Sequence, residues 1–336
     1  MTKRPLRFSL LLDYALYLAV RGLEELLNLM PEKAALALGR FVGRIVYVCL
    51  PDRRSAAIEN LSIAFGGEKS EEWIVRTARK SFEHVGMAAV EFFRIRRWNQ
   101  EEMIEKIAIQ GVLPYNLTMM PGNHGICILN SHFGCFEVGA AVAKLLGWRV
   151  HLIVTGLRNP FLSRYLFQRG GERTGIKTYP HKGIVNEMIR LLRSNEMVAF
   201  LADQRGDAER GVFVDYFGTK APANEVFARF AIEGEARVMP LATYRRDDGR
   251  YQVIFEEDIP IQVTGDVQKD LVTVSQLFHN QFEQWLRLKP EQGFWLQRKW
   301  RRKASRKHSA RSSTKPLADG DDLAQGQGPP VAPKRA

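Results

Sequence analysis

The stretch Ile126-Cys127-Ile128-Leu129-Asn130-Ser131-His132-Phe133-Gly134-Cys135-Phe136-Glu137 joins an apolar run to a polar loop. The apolar run predicts a buried strand, and functional sites in open α/β sheets form at the carboxyl ends of strands. His132 is therefore expected at the sheet edge, and Glu137 in the first turn of the next helix. A carboxylate on one imidazole nitrogen makes the other a better base. The pair predicts a base that deprotonates an alcohol attacking an ester or thioester, although the spacing alone also fits a structural histidine.

Two neighbouring residues offer alternative nucleophiles. Ser131 precedes His132, but adjacent side chains on extended backbone point apart. The Gly-x-Ser-x-Gly elbow of serine hydrolases is also missing from the sequence. Cys135 is a second candidate, and a small apolar helix residue is the simpler interpretation of that position.

Strand and helix patterns alternate on both sides of this stretch, which predicts an α/β fold. We expect one domain with a mixed, largely parallel central sheet flanked by helices. The predicted strands lie near 125–130, 149–154, 197–202, 212–216, 237–244 and 251–257, with helices near 70–94, 135–146, 160–170, 182–194, 224–234 and 267–288.

A second polar loop follows the predicted strand at 197–202. Because carboxyl ends of parallel strands share one sheet edge, Asp203 and Gln204 are expected near His132. Asp203 could bind the acceptor, orient a catalytic group or hold an arginine, and a turn-forming aspartate is the plain alternative.

The N-terminal 50 residues favour contact with a membrane. The run 8–20 is apolar except for Ser9 and Asp13, follows three basic residues and is shorter than a bilayer span requires. A second apolar stretch at 34–50 carries Arg40 and Arg44. Helices lying in the membrane interface fit this pattern, and two amphipathic helices packed on a soluble core are the alternative.

Charge is concentrated near the C-terminus. The chain has 336 residues and a net charge of +12, of which residues 298–336 supply +8 through eleven Lys/Arg against three Asp. This local basicity suits lipid phosphate and argues against a dedicated nucleic-acid binder.

Three cysteines without a Cys-x-x-Cys pair predict neither a disulfide framework nor a zinc site. We divide the chain into membrane-associated helices (1–50), a catalytic domain (51–303) and a disordered tail (304–336).

Four blocks in order resemble the late acyltransferases of lipid A biosynthesis, which belong to the lysophospholipid acyltransferase superfamily. The first block is the His-Phe-Gly-x-x-Glu sequence at 132–137. The others are an Arg-Arg…Asn-Leu…Ala-Phe signature at 53–65, an Asp-Gln…Gly-x-Phe-Val…Phe-Gly block at 203–218, and a Pro-Glu-Gln…Trp…Arg block at 290–298. This chain departs from the usual pattern at Cys135-Phe136 and at Gln297.

The resemblance implies a glycerol-phosphate acyltransferase-like fold at the cell inner membrane, with the active site facing the cytoplasm. It implies that His132, oriented by Glu137, is the general base for transfer from acyl carrier protein or coenzyme A to a hydroxyl of a lipid A precursor or related glycolipid. Arg169, Asp203, Gln204 and Arg298 are the residues expected to bind substrate or the oxyanion. No metal or cofactor is implied. Phosphatidylinositol mannoside or a lysophospholipid as acceptor, and a non-catalytic lipid-binding role, remain open.

Overall fold

The computed structural model describes residues 6–111, 125–154, 156–168, 176–180, 183–207 and 211–300. Its N-terminal part consists of long helices. They are α1 (Leu6–Leu29), α2 (Glu32–Cys49), α3 (Pro51–Phe65) and α4 (Glu71–Ile95). Ser70 caps α4, because its Oγ accepts a hydrogen bond from the N–H of Trp73. Helices α2 and α4 cross closely at Gly43, where an added Cβ would lie 2.2 Å from the Phe82 carbonyl oxygen.

Seven of the described strands form one mixed sheet, in the order β1-β9-β8-β2-β5-β3-β4. The strands are β1 (Ile107–Gly111), β2 (Ile126–Asn130), β3 (Val150–Val154), β4 (Ile176–Pro180), β5 (Met197–Leu201), β8 (Arg237–Arg245) and β9 (Tyr251–Phe255). Only the pair β8 and β9 is antiparallel among them. The predicted mixed, largely parallel sheet is therefore confirmed.

Helices cover both faces of the sheet. The shorter ones are α5 (Gln100–Lys106), α6 (Glu137–Leu145), α7 (Pro160–Ser163) continued by a π-helical turn (Arg164–Gln168), α8 (Val185–Arg193) and α9 (Val226–Glu233), and the long α10 (Val267–Leu288) follows. Side chains of β2 alternate between two apolar cores: Cys127 and Leu129 pack with α8, α9 and α10, and Ile128 packs with α6.

The sequence misplaced or missed several short elements. The predicted strand at 212–216 is present as β6 (Val212–Tyr216), but it pairs with β7 (Thr219–Ala223) in a separate antiparallel ribbon. Strands β1, β4 and β7 and helices α3 and α5 were not expected. Strand β4 lies at the sheet edge and ends in Pro180, whose missing N–H is tolerated there. An edge strand is partly exposed, so the sequence of β4 lacks the continuous apolar signal of a central strand.

Among the described residues, no single helix is long and apolar enough to cross a bilayer. Helices α2 and α3 reach that length and composition only together, and the chain bends by 96° between them. The predicted boundaries of the domains stay predictions, and the proposed tail at 304–336 lies outside the described residues.

Candidate active site

The sheet register brings His132 and Asp203 together. Strands β2 and β5 are parallel neighbours, and Asn130 is paired with Leu201. His132 and Asp203 each follow that pair by two residues, so they leave the sheet at the same height. The N–H of Ala202 donates to the Asn130 carbonyl oxygen at 3.0 Å and continues the ladder toward the loops.

Both carboxylate oxygens of Asp203 hold His132. The Nδ1 atom of His132 lies 2.8 Å from Oδ1, and the backbone N–H of His132 donates to Oδ2 at 3.1 Å. Nδ1 therefore carries the proton, and Nε2 presents its lone pair. Nε2 makes no hydrogen bond to any part of the chain that the structure describes. An oriented imidazole with an open Nε2 is the geometry that a general base requires.

The two partners shift each other's pKa toward the charged pair. Burial opposes protonation of His132, but the charge and hydrogen bond of Asp203 outweigh it and raise the pKa of the imidazole. Burial likewise raises the pKa of Asp203, yet the charge and hydrogen bonds of His132, helped by Lys299, lower it overall. Asp203 is therefore the carboxylate that stabilises an imidazolium at this position.

Glu137 lies beside this pair but is bound differently. It is the first residue of α6 and lines the same cavity as His132. Its Oε2 atom is buried and has no hydrogen-bond partner among the described residues. Burial raises the pKa of Glu137 to about 8, and the nearby Glu91 carboxylate adds to the rise. The hydrogen bond to the His132 imidazole that was expected from Glu137 is thus made by Asp203. Glu137 instead presents a neutral carboxyl group at pH 7.

Lys299 is buried and contacts the backbone of Asp203. Its ammonium group donates to the Asp203 carbonyl oxygen at 2.7 Å and lies 3.1 Å from Nε2 of His279. His279 donates from Nδ1 to the Ser275 carbonyl oxygen, so its Nε2 accepts the proton of Lys299. Burial lowers the pKa of Lys299 to about 8 and that of His279 to about 3. The C-terminal segment 290–299 therefore supplies a buried cation beside the His132–Asp203 pair.

The loop after His132 is fixed by its backbone. Gly134 has a φ of +60°, and an added Cβ there would lie 1.7 Å from the Thr243 carbonyl oxygen. Its N–H donates to the carbonyl oxygen of Gln292 at 2.9 Å, and its own oxygen accepts from Nε2 of His84 at 2.8 Å. Only glycine combines this conformation with this close approach.

A buried ionic network lies beneath the same loop. Glu91 accepts hydrogen bonds from Arg245, from the Tyr251 hydroxyl at 2.5 Å and from the Cys135 thiol at 3.2 Å. Burial raises the pKa of Cys135 well above its usual range, which removes it as a nucleophile. The paired charges hold α4 and β8 against the start of α6 and so fix the direction of the His132 loop.

A cavity of about 620 Å³ opens beside His132 and Glu137. Helix α6 and strands β3 and β5 contribute much of its wall, and their lining residues are apolar except for Glu137. Its volume is in the range of pockets that enclose small molecules, and its lining suits a hydrocarbon chain. A base at the mouth of an apolar cavity can activate a hydroxyl against the head of a bound fatty chain.

The remaining predicted residues are placed as follows. Gln204 is exposed and lines the large cavity. Arg298 is exposed and lines neither of the two cavities beside His132. Arg169 lies outside the described residues. In the described ranges, no three His, Cys, Asp or Glu side chains are grouped to hold a metal ion.

Sequence reasoning missed the structural roles of Lys299, His279 and Glu91. Lys299 belongs to the basic region 298–336, where contact with lipid phosphate was expected, and nothing in its local sequence pattern indicated burial. His279 lies on the buried face of α10, and the apolar periodicity of that helix was the one sequence signal that indicated its burial. The pairing of Asp203 with His132 required knowing that β2 and β5 are neighbours.

The sequence matches known proteins over most of its length. The family model described as bacterial lipid A biosynthesis acyltransferase matches residues 2–302. The chain is similar to the lipid A biosynthesis lauroyltransferase of Escherichia coli K12, with 24% identity over 291 residues, covering 81% of this chain and 87% of that protein. It is also similar to the lipid A biosynthesis acyltransferase of Haemophilus influenzae Rd, with 24% identity over 172 residues, covering 51% of this chain and 52% of that relative.

Proposed function

Because the chain belongs to the bacterial lipid A biosynthesis acyltransferase family and is an acyltransferase, we propose that it transfers a fatty acyl group from a carrier thioester to a hydroxyl of a lipid A precursor. The donor is acyl carrier protein or coenzyme A. One observation carries the proposal: the open Nε2 of an oriented His132 borders an apolar cavity of about 620 Å³.

The chemistry follows from the positions of the two groups. The acyl chain lies in the cavity, with its thioester carbonyl carbon near His132. Nε2 takes the proton of the acceptor hydroxyl while the oxygen attacks that carbon. The tetrahedral intermediate then collapses, the C–S bond breaks, and the imidazolium returns its proton to the leaving thiolate. General base catalysis of this kind contributes about 10²–10⁴-fold to the rate.

The two carboxyl groups take different roles in this proposal. Asp203 fixes the tautomer of His132 and stabilises the imidazolium. Glu137 is neutral below about pH 8 and lines the cavity, so in this proposal it donates a hydrogen bond to the thioester oxygen as negative charge develops there. Two carboxyl groups whose environments separate their pKa values are a recurrent arrangement for such a division of work.

The N-terminal helices provide the contact with lipid. Large apolar side chains of α1 and α2 are exposed: Leu11 at 68%, Leu29 at 83%, Phe41 at 58% and Val48 at 67%. Large exposed apolar patches are uncommon on soluble monomers and typical of interfaces with membranes or proteins, and these side chains are candidates for such a patch. In this proposal the helices rest on the cytoplasmic leaflet of the inner membrane, where a glycolipid acceptor is available and the active site faces the cytoplasm.

The test is a reconstituted transfer reaction. The purified chain in detergent is mixed with a purified lipid A precursor and either acyl carrier protein thioester or acyl-coenzyme A. The masses of the products are then measured by mass spectrometry. We expect the acceptor to gain one acyl group. Transfer to phosphatidylinositol mannoside or a lysophospholipid, without transfer to the lipid A precursor, would contradict the proposed acceptor. His132→Ala is the inactive control.

A further inference from the structure

Two side-chain amides stand opposite each other where the large cavity meets solvent. An antiparallel bridge pairs Arg205 with Ala223, and the next pair along adds a backbone hydrogen bond of 3.1 Å. In antiparallel pairing the residue before one bridge partner lies opposite the residue after the other, so Gln204 faces Asn224. Opposed residues share one face, with Cβ atoms about 5 Å apart. Both side chains line the cavity, and Gln204 is exposed.

This amide pair has hydrogen-bonding groups that the fold does not use. Oδ1 of Asn224 accepts from the N–H of Val226 at 3.1 Å, which fixes the side chain in an Asx turn and leaves its Nδ2 as a donor. Neither this Nδ2 nor the amide group of Gln204 makes a hydrogen bond to any residue in the described ranges of the chain. A donor on one side chain and an acceptor on its neighbour are therefore available to a ligand.

A secondary amide is the group that matches this pair. Its N–H donates to Oε1 of Gln204, and its carbonyl oxygen accepts from Nδ2 of Asn224. An ester has only the carbonyl, and a hydrocarbon chain has neither group. A few polar side chains of this kind on an otherwise apolar pocket fix the orientation of what binds there.

The amide pair borders the catalytic residues. Gln204 directly follows Asp203, whose carboxylate holds Nδ1 of His132 at 2.8 Å. A thioester on a carrier too large for the cavity has to reach His132 through this mouth. Acyl carrier protein and coenzyme A both present the acyl group on a pantetheine arm. The first amide nitrogen of that arm is four bonds from the thioester carbonyl carbon, or about 5 Å in an extended chain.

We propose that Gln204 and Asn224 bind the pantetheine amide nearest the sulfur and so position the thioester carbonyl beside Nε2 of His132. The proposal rests on the proposed function and adds to it the part of the donor that is recognised, which is the arm that both carriers share. An N-acylated sugar of a glycolipid acceptor contains the same chemical group. Binding measurements with separate donor and acceptor probes distinguish the two sources.

The test compares two donor analogues that cannot be transferred, because a thioether replaces the thioester. Both have the same alkyl chain; one carries N-acetylcysteamine, and the other has an ester oxygen in place of the amide N–H. Their affinities for the full chain in detergent are measured by calorimetry. We expect wild type to bind the amide analogue about 2–12-fold more tightly, which is the range for one hydrogen bond. Gln204→Leu should reduce this ratio to about 1, and Gln204→Glu, which keeps an acceptor oxygen, should preserve it.

The second half of the pair gives a different pattern. Asn224→Ser keeps a side-chain oxygen for the turn and removes the Nδ2 donor. Because both analogues contain the carbonyl, this variant should weaken both by a similar factor and leave their ratio unchanged. Gln268→Leu is the matched control, since Gln268 is exposed on α10, and it should keep the wild-type affinities.

Three results would overturn the proposal. The first is equal affinity of wild type for the amide and ester analogues, and the second is an amide preference that survives in Gln204→Leu. The third is weaker binding of the purified lipid A precursor to Gln204→Leu with the donor ratio unchanged, which would assign the amide to the acceptor.

The analogues need neither acceptor nor turnover, so this proposal and the proposed function fail separately. An amide preference lost in Gln204→Leu, without any transfer to the lipid A precursor, would support the amide pair and contradict the proposed acceptor. Efficient transfer by an enzyme that binds both analogues equally would do the reverse.

Discussion

Replacing Glu137 by glutamine tests the neutral carboxyl group most directly. The pKa of Glu137 is about 8 in the folded chain, against 4.5 for an ordinary glutamate. Between these values the unfolded chain has lost the proton while the folded chain retains it, so wild-type stability falls as pH rises. Each pKa unit corresponds to 1.36 kcal/mol, and the difference therefore amounts to about 5 kcal/mol in total. A glutamine side chain does not titrate, so the Glu137→Gln variant lacks this loss.

The assay is denaturant unfolding of both proteins in the same detergent at several pH values. We expect the stability of Glu137→Gln to rise relative to wild type by about 4 kcal/mol from pH 5 to pH 8. Any constant cost of burying an amide cancels in this comparison. Glu72→Gln, at an exposed position of α4, controls for the change of net charge. A stability difference that does not vary with pH would refute a neutral Glu137.

Activity gives an independent measure of the same group. An amide donates a hydrogen bond as a neutral carboxyl group does, so Glu137→Gln should retain far more activity than Glu137→Ala. In wild type the rate should rise with pH as His132 loses its proton, at a pH above the ordinary pKa of a histidine. It should fall again above about pH 8, where Glu137 ionises. The variant should keep the rise and lose the fall. Equal inactivity of both variants would show that the charged form is needed.

Three further outcomes are expected. His132→Ala should lower the rate of transfer by at least about 10²-fold while the far-UV circular dichroism stays unchanged, and loss of less than tenfold would exclude His132 as the base. Asp203→Asn should lower the rate by a similar factor, because an amide donating to Nδ1 moves the ring proton to Nε2. The rate of this variant should also begin to rise at a lower pH than that of wild type, because the carboxylate that raises the pKa of His132 is gone. A rise at the wild-type pH would contradict the pairing of His132 with Asp203. Arg245→Met should destabilise the fold by roughly 3–5 kcal/mol in denaturant unfolding, because it leaves the buried Glu91 unpaired, and a cost below about 1 kcal/mol would show that the network is dispensable.

The sequence predicted the local features better than their partners. The apolar run before Asn130 predicted a strand, and the polar residues after it predicted a sheet-edge site, because both signals lie within one short stretch. The choice between Glu137 and Asp203 as the partner of His132 depended on strand order, which hydrophobic periodicity does not encode. Proximity along the chain favoured Glu137, whereas the register of β2 with β5 favours Asp203.

Burial of charged groups was the other feature beyond the reach of the sequence. Glu91 and Lys299 belong to residue types that are almost always exposed, and each is buried because distant segments supply its partners. Arg245 reaches Glu91 from 154 positions away, and Asp203 meets Lys299 across 96. Single-residue propensity holds no information about contacts at such separations.

The position of segment 290–299 in the chain has a consequence for biosynthesis. Asn60 of α3 donates to the carbonyl oxygens of Trp295 and Gln297, and the same segment supplies Gln292 to the Gly134 loop and Lys299 to Asp203. A ribosome therefore makes all the described strands, Glu137 and Asp203 before it makes the residues that hold them in place. A product that terminates prematurely after Leu288 would lack Gln292 and Lys299, so the Gly134 loop and Asp203 would lose the contacts that hold them in the complete chain.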